Sequence, residues 1–469
     1  MKTRKFTKYY VNVLLLTLCI AVLMIVPLLR PDNAKHFGTE PYLNLRLSHD
    51  LSSYDELSYG GRYAAYNWGL PWILSFMPPK LLPFILGILS FILFNALLNK
   101  FKFENRILAN ILFLTSPLFI TLFSDINNFM IPLTLTLLNI FLILQSNKLR
   151  YLSLLSSVIM PLFSLPFTIL NLFFLFLLIK FKIKEKKSLY YVIVFLTTFI
   201  ACLYYGNIII NSGFERLRFQ PFDTGFNTKL KDIIADFGSN IGFGLFMLIS
   251  AIIGISSKWK QKYKNLFIFF STFILFIAIF FSKSAIIMLG LLIPVFSAQG
   301  LNYLWNRRWM QKSLKQLIIL TIICGLLFTT LSTINRLSKE LPSPEIINGL
   351  NKLKALPQGV VFSDYTRGVW INYAGKKNFI DENFMFAPNI NERWNDMQTL
   401  IKTREWKTAK GIIDKYNFKY IWIDKYMKKK LWETEEDGLL FIIKYNPTIK
   451  RIYSNSEVEI WFIKNSKNE

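Results

Sequence analysis

Histidine and cysteine are nearly missing from this chain: two His and three Cys among 469 residues. Cys19, Cys202 and Cys324 all lie inside apolar runs, which excludes a disulfide framework or a CxxC metal site. His36 and His49 sit near acids, but their spacing matches no strong ligand signature. Acids are also scarce, 29 against 55 Lys and Arg, giving a formal charge of +26. No GxxxxGK[ST] stretch is present, so the usual cradle for a cytosolic nucleotide phosphate is lacking. Nor is there an internal repeat of the kind that marks many secondary transporters.

What the chain has instead is apolar length. It is 53% hydrophobic, holds 44 Phe, and has a mean hydropathy of +0.36. Its apolar runs predict about eleven transmembrane helices, near 11–29, 81–98, 107–123, 130–145, 152–163, 166–180, 190–210, 241–257, 266–282, 284–304 and 317–334. The run at 11–29 follows a basic start and could be a signal peptide; its length and the Pro31-Asp32-Asn33 that follows favour a retained span. The two at 152–163 and 166–180 could instead be one broken hairpin, since prolines stand at 161 and 166.

The basic residues collect between these runs. Alternate segments (1–8, 99–106, 146–151, 180–188, 258–265 and 305–316) carry 22 Lys and Arg against Glu104 and Glu185 alone. The other segments, 31–69, 124–129 and 211–240, hold ten acids. That asymmetry marks membrane orientation rather than a nucleic-acid surface, so no nucleic-acid partner is expected. It predicts a multi-pass plasma-membrane protein with a cytoplasmic N-terminus and an extracytoplasmic tail.

From about residue 335 the runs shorten and charges of both signs intersperse. Strands are expected at 359–363, 378–381, 420–424, 449–453 and 457–463, with helices at 391–403 and 405–416. The expected division is a transmembrane domain, 1–334, with outer loops 31–69, 124–129 and 211–240, and a small soluble α/β domain, 335–469, joined through a linker at 341–345.

Polar chemistry concentrates in the first outer loop, GTEPYLNLRLSHDLSSYDELSYGGR at 38–62. Thr39-Glu40-Pro41 reads as a capped helix start. Leu43, Leu47 and Leu51 recur every four residues, Arg46 and Asp50 pair on another face, and the helix could lie along the membrane surface. Ser58-Tyr59-Gly60-Gly61-Arg62 allows a tight turn aiming an arginine. Asp125 and, at 211–240, Arg216 and Arg218 add to the set. Carboxylates can take a proton from an acceptor hydroxyl, while guanidinium groups neutralise a departing phosphate. Each also has a plainer use: Glu40 as a helix-start acid, Asp55 as a turn former, Asp125 as a solvated loop residue, Arg62 as a side chain reaching for headgroups.

The order of these features resembles the GT-C superfamily of membrane glycosyltransferases. A basic start and a first span lead into Gly-x-Glu-Pro-Tyr and Tyr-Asp-Glu-Leu-Ser-Tyr-Gly-Gly-Arg. GTEPYLNLR is similar to the acid-Pro-Tyr-x-x-x-Arg run of oligosaccharyltransferase catalytic subunits. Thr115-Ser116-Pro117 followed by Asp125 resembles their second acidic loop, IIADFGSNIGFG at 233–244 their later external loop, and SDYTRGVWINYAGKKNFID at 363–381 the start of their soluble domain. Where those subunits carry Trp-Trp-Asp-x-Gly, this chain has Ser363-Asp364-Tyr365-Thr366-Arg367-Gly368.

The resemblance implies an inverting glycosyltransferase whose sugar donor rides on a polyprenyl phosphate or diphosphate. It implies an essential acid at Glu40, Asp125 in a second acidic loop, and a glycan, lipid or protein acceptor. On the residues themselves, Asp55 joins Glu40 and Asp125 as a catalytic candidate, and Arg62, Arg46, Arg216 and Arg218 are the candidate donor-phosphate contacts. A divalent cation, Mg or Mn, if used, would take Glu40, Asp125 and His36. The alternative is a non-enzymatic lipid-carrier flippase or transporter, which would need charges along a path inside the spans.

Overall fold

The structure is a computed structural model that describes residues 2–52, 54–63, 67–145, 148–181, 187–212, 233–239, 241–259, 266–382 and 388–464. Contacts divide the chain into two compact units. Unit 1 holds residues 1–30, 67–206 and 222–339; unit 2 holds 31–66, 207–221 and 340–469. The first outer loop thus folds with the tail, a partition that the order of residues along the chain does not reveal.

Unit 1 is helical. Five helices are long and apolar enough to cross a membrane: Tyr10–Leu29, Leu81–Lys100, Ser188–Asn211, Lys283–Asn306 and Lys312–Ser338. A sixth span arises if Arg106–Leu114 and Pro117–Phe123, bent by 54°, are taken together. Ser116 makes that bend, accepting a hydrogen bond from Phe119 N at 3.1 Å as Pro117 opens the second half. The other expected spans are occupied by shorter helices such as Met130–Ile143 and Leu245–Lys258. Their 14 residues each fall short of the roughly 20 that a straight crossing requires. Eleven full-length crossings are therefore not what the described helices provide.

Close packing in unit 1 relies on small residues. The helices Leu245–Lys258 and Lys283–Asn306 approach so closely that a Cβ on Gly300 would lie 1.8 Å from the Ser250 carbonyl oxygen. A Cβ on Gly254 would meet the Phe296 carbonyl at 2.0 Å. The Ser250 and Ser297 hydroxyls share a hydrogen bond of 2.5 Å across the same seam. This is how apolar helices associate where water supplies no driving force.

Unit 2 joins a five-stranded sheet to helices. Its strands are β3 (Val360–Phe362), β4 (Lys377–Asn378), β5 (Phe418–Asp424), β6 (Ile449–Ser454) and β7 (Val458–Ile463), in the order β4-β3-β5-β7-β6. The first three run parallel, while β7 is antiparallel to both β5 and β6. β5 is central and buried along nearly all its length, and the core gathers around its Tyr420, Ile421 and Trp422. The expected helices appear as Ile390–Lys402 and Trp406–Tyr416. Pro344–Ala355, in the region read as a linker, is a helix capped by Ser343, whose hydroxyl accepts from Ile346 N. Lys376 is fully buried without a carboxylate; its ammonium donates to the Lys354 and Leu356 carbonyls at the end of that helix. There the helix leaves unsatisfied acceptors and a negative field.

Candidate functional site

Within unit 2, the loop 31–66 is built into the tail as a second layer. A helix runs Glu40–His49 with Pro41 in its first turn, where a missing N–H costs nothing. Leu51 lies beyond its end and is exposed, and the buried side chains are Tyr42, Asn44, Leu45 and Leu47. Tyr42 enters the core of unit 2 and meets Tyr373 edge-to-face, with ring centroids 5.0 Å apart. This face is consumed by protein packing. Thr39 does not cap the helix either. Its hydroxyl donates to Glu382 at 2.5 Å.

After the helix, the loop forms a hairpin, β1 (Tyr54–Asp55) and β2 (Arg62–Tyr63), with Asp55 directly opposite Arg62. Gly60 and Gly61 both take positive φ, 74° and 68°, so the turn between them excludes ordinary side chains. At Gly61 a Cβ would also strike the Tyr54 hydroxyl at 2.1 Å. The hairpin is stitched to β4: Asn378 N donates to Leu57 O at 3.0 Å and Tyr59 N to Asn378 O at 3.0 Å.

The expected phosphate arginines are otherwise engaged. Arg46 holds both oxygens of Asp55, at 2.7 and 2.8 Å, rather than Asp50. Arg62 holds both oxygens of Asp381, at 3.0 and 2.6 Å, and lies 3.6 Å from Asp55. The side chains of Asp55, Arg62 and Asp381 are 4%, 2% and 1% exposed. Such a shielded and compensated guanidinium has little left to offer an incoming phosphate. The candidates Arg46, Arg62 and Asp55, together with Asp381, form a charged bolt between loop and tail. Burial alone would push the Asp381 carboxyl up. The charge and hydrogen bonds of Arg62, helped by Asn378, outweigh that and hold it below its ordinary 3.8.

Glu40 stands differently. It is the first residue of its helix, half-buried, in the positive field of the helix start. Glu382 lies within range of its charge, a neighbour that the loop sequence does not announce. Although the residue keeps an exposed surface, loss of water around its carboxyl pushes it above the ordinary 4.5. The charges of Asp381 and Glu40 add to the rise, while the Thr39 hydroxyl and Arg367 act against it. The structure thus places Glu40 beside a second glutamate with a raised proton affinity.

The stretch 363–368 is also locked. Asp364 accepts from the Thr366 hydroxyl at 2.5 Å, and Arg367 Nε donates to Asp424 at 2.5 Å between the Trp370 and Tyr426 rings.

In unit 1, Asp125 is buried in the turn before Met130–Ile143 and accepts from Ile126 N at 2.7 Å. Asp236 instead serves the fold. It accepts from Leu245 N at 2.6 Å and the Thr329 hydroxyl at 2.7 Å, at the start of the helix Leu245–Lys258. Arg336 clamps the same segment through the Ala235 and Ser239 carbonyls. Arg216 and Arg218 lie outside the described residues.

His36 is half-buried; its backbone carbonyl accepts from the Tyr42 hydroxyl at 3.3 Å. Among the described residues, no three His, Cys, Asp or Glu side chains converge as a metal ion requires. The described donors therefore do not fit a bound cation on their own.

The sequence matches no known family model and no curated protein. Its fold does have solved counterparts. The oligosaccharyltransferase of Archaeoglobus fulgidus in its apo form superposes with a TM-score of 0.64 at 13% identity, over 90% of this chain and 70% of that one. The archaeal oligosaccharyltransferase AglB from Archaeoglobus fulgidus, in complex with an inhibitory peptide and a dolichol-phosphate, gives 0.51 at 14% identity, over 94% of this chain and 72% of that one. The arabinofuranosyltransferase AftD from Mycobacteria gives 0.57 at 12% identity, over 96% of this chain but 40% of that longer one. Apolar helices in one unit, a helix-led acidic loop folded with a mixed sheet in the other, and these superpositions together show that this chain has the fold of the GT-C glycosyltransferases.

Proposed function

We propose that the chain is an integral-membrane glycosyltransferase, moving a sugar from a polyprenyl-phosphate or polyprenyl-diphosphate carrier to a glycan, lipid or protein acceptor at the extracytoplasmic face. The likeness to glycosyltransferases over nine-tenths or more of the chain carries this reading. The counterpart with bound dolichol-phosphate supports a lipid-linked donor.

In the proposed reaction an acceptor oxygen or nitrogen attacks the anomeric carbon as the bond from that carbon to the carrier's phosphate oxygen breaks. The phosphate leaves with the electron pair, and attack from the opposite face inverts configuration. Glu40 is the proposed base that receives the acceptor's proton. It sits at an ordered helix start, in the positive field of the first turn. Asp125 is the second candidate carboxylate, and Arg216 and Arg218 remain the candidate phosphate contacts. Arg46, Arg62 and Asp55 act on the reaction by holding the Glu40 loop in place.

The test is transfer from labelled polyprenyl-phosphate and polyprenyl-diphosphate sugars by the full chain in membranes. Glu40→Gln keeps the side chain's shape and should cut turnover by about 100-fold or more, with normal accumulation. Undiminished transfer by that variant, with Asp125→Asn inactive, would move the base to unit 1. Wild-type transfer by both would leave neither carboxylate in the reaction. Lipid-linked sugars accumulating in a deletion strain would identify the donor or acceptor.

A further inference from the structure

Unit 1 contains a cavity of about 610 Å³ that the transferase reading does not use. Its walls include Phe94, Leu97, Phe174, Leu178, Phe269 and Phe296. Its mouth carries Lys102, Lys258 and Arg307 against the single acid Glu104. None of these four makes an ion pair among the described residues. The volume falls within the roughly 300–1,000 Å³ of small-molecule sites.

Its place follows from the chain's direction. The cavity takes Leu137 and Ile140 from the second half of Met130–Ile143, and Ser257 and Lys258 from the end of Leu245–Lys258. Asp125 precedes the first of those helices and Asp236 the second. The cavity therefore lies at the other end of unit 1 from both acids, where the segments 99–106 and 305–316 concentrate lysine and arginine.

One further observation points to a ligand. Gln299 lines the cavity, and its Oε1 is shielded from solvent with no hydrogen-bond partner among the described residues. A buried amide oxygen left so is costly unless something donates to it. Lys102 stands just past the end of Leu81–Lys100 with φ of +52°. That left-handed turn carries the chain off the helix end, and Lys102 lines the cavity.

We propose that this cavity binds an anionic glycerophospholipid from the leaflet that meets the basic loops. Its acyl chain would lie among the phenylalanines and leucines, its phosphate among Lys102, Lys258 and Arg307, and a headgroup hydroxyl could donate to Gln299. The apolar walls exclude a free anion as sole occupant, and the basic mouth favours an anionic over a zwitterionic headgroup. The proposal requires only that unit 1 be embedded in a membrane, and does not depend on the transfer reaction.

The test uses the full chain in nanodiscs carrying a photoactivatable phosphatidylglycerol or the matching phosphatidylcholine. Phosphatidylglycerol should label peptides covering 97–105 and 291–307 at least about tenfold more than phosphatidylcholine. The exposed or half-buried set Lys102→Gln, Lys258→Gln and Arg307→Gln should abolish that preference at unchanged protein yield. Leu292→Trp, which fills the cavity from its wall, should reduce labelling by both lipids. Equal labelling by the two lipids, or a preference surviving the triple substitution, would overturn the proposal. Displacement of the lipid by millimolar inorganic phosphate alone would also overturn it, leaving an anion site. Sugar transfer measured on the same samples reports separately on the function proposed above.

Discussion

The two units bury polarity in opposite ways. Inside unit 1 the buried polar side chains are mostly hydroxyls and amides, as in the Ser90–Thr134 and Ser250–Ser297 pairs at 2.7 and 2.5 Å. Thr134, Thr136 and Thr333 also return a hydrogen bond to the carbonyl four residues earlier. Unit 2 buries full charges: Asp55, Arg62, Asp381, Arg367, Asp424, Arg393 and Lys376. A short hydroxyl can be satisfied by its own helix, so it suits a place where water is absent even before packing. A charge needs a partner fixed in space, which a mixed sheet with loops on its edge can supply. Unit 1 is therefore specified by close approach and unit 2 by charge pairing.

The contrast breaks most severely at the glycine seam of unit 1. Gly300→Ala puts a methyl group 1.8 Å from a backbone oxygen, with no flexible side chain to yield. The cost should be about 3 kcal/mol or more, the upper range of overpacking. It would be read as loss of folded, detergent-stable protein. Recovery of wild-type stability would mean that the two helices do not close at that position.

Next comes the charged bolt of unit 2. Arg62→Met strands Asp381 and should destabilise the unit by about 3–5 kcal/mol, whereas Arg62→Met with Asp381→Leu should regain most of that. Asp381→Asn and Arg62→Lys should impair lipid-donor use alike, since both break the same two-pronged pair. An Arg62 that touched the donor directly would leave Asp381→Asn with normal donor affinity. Because the folded state holds Asp381 below its ordinary value, its contribution is complete above about pH 4 and is lost as pH falls through the lowered value. Acid should therefore loosen unit 2, and the double variant should lack that phase.

The smallest effect expected is at Glu382. Its raised carboxyl has the opposite sign: the favourable contribution is whole below 4.5 and disappears as pH rises through the folded value. At neutral pH, Glu382→Gln should be neutral to slightly stabilising, within about 0.5 kcal/mol, and should flatten the pH dependence above pH 4.5. A clear loss of stability at neutral pH would show that the ionised carboxylate is needed where it stands.

Much of the architecture could be read from local pattern. Apolar runs locate the helices of unit 1, because a membrane-length apolar segment has few other fates. Four of the five tail strands fall close to where alternation and β-branched content place them. The fifth, expected at 378–381, shrinks to Lys377–Asn378, because the chain leaves the ladder to present Asp381 to Arg62. The short helices Gly368–Tyr373, Lys425–Leu431 and Gly438–Tyr445 offered too few turns for their period to register.

By itself the sequence determined the membrane character, the acidic loop after the first apolar helix, the helix beginning at Glu40 and the glycine turn before Arg62. These are written in hydropathy, proline and glycine, which act within a few residues. Only the tertiary structure decided which partner each charge takes: Asp55 for Arg46, Asp381 for Arg62, and Glu382 beside Glu40. The Arg62–Asp381 pair alone spans 319 positions of chain. No local rule distinguishes an arginine that awaits a phosphate from one already held by a carboxylate arriving from a distant part of the chain.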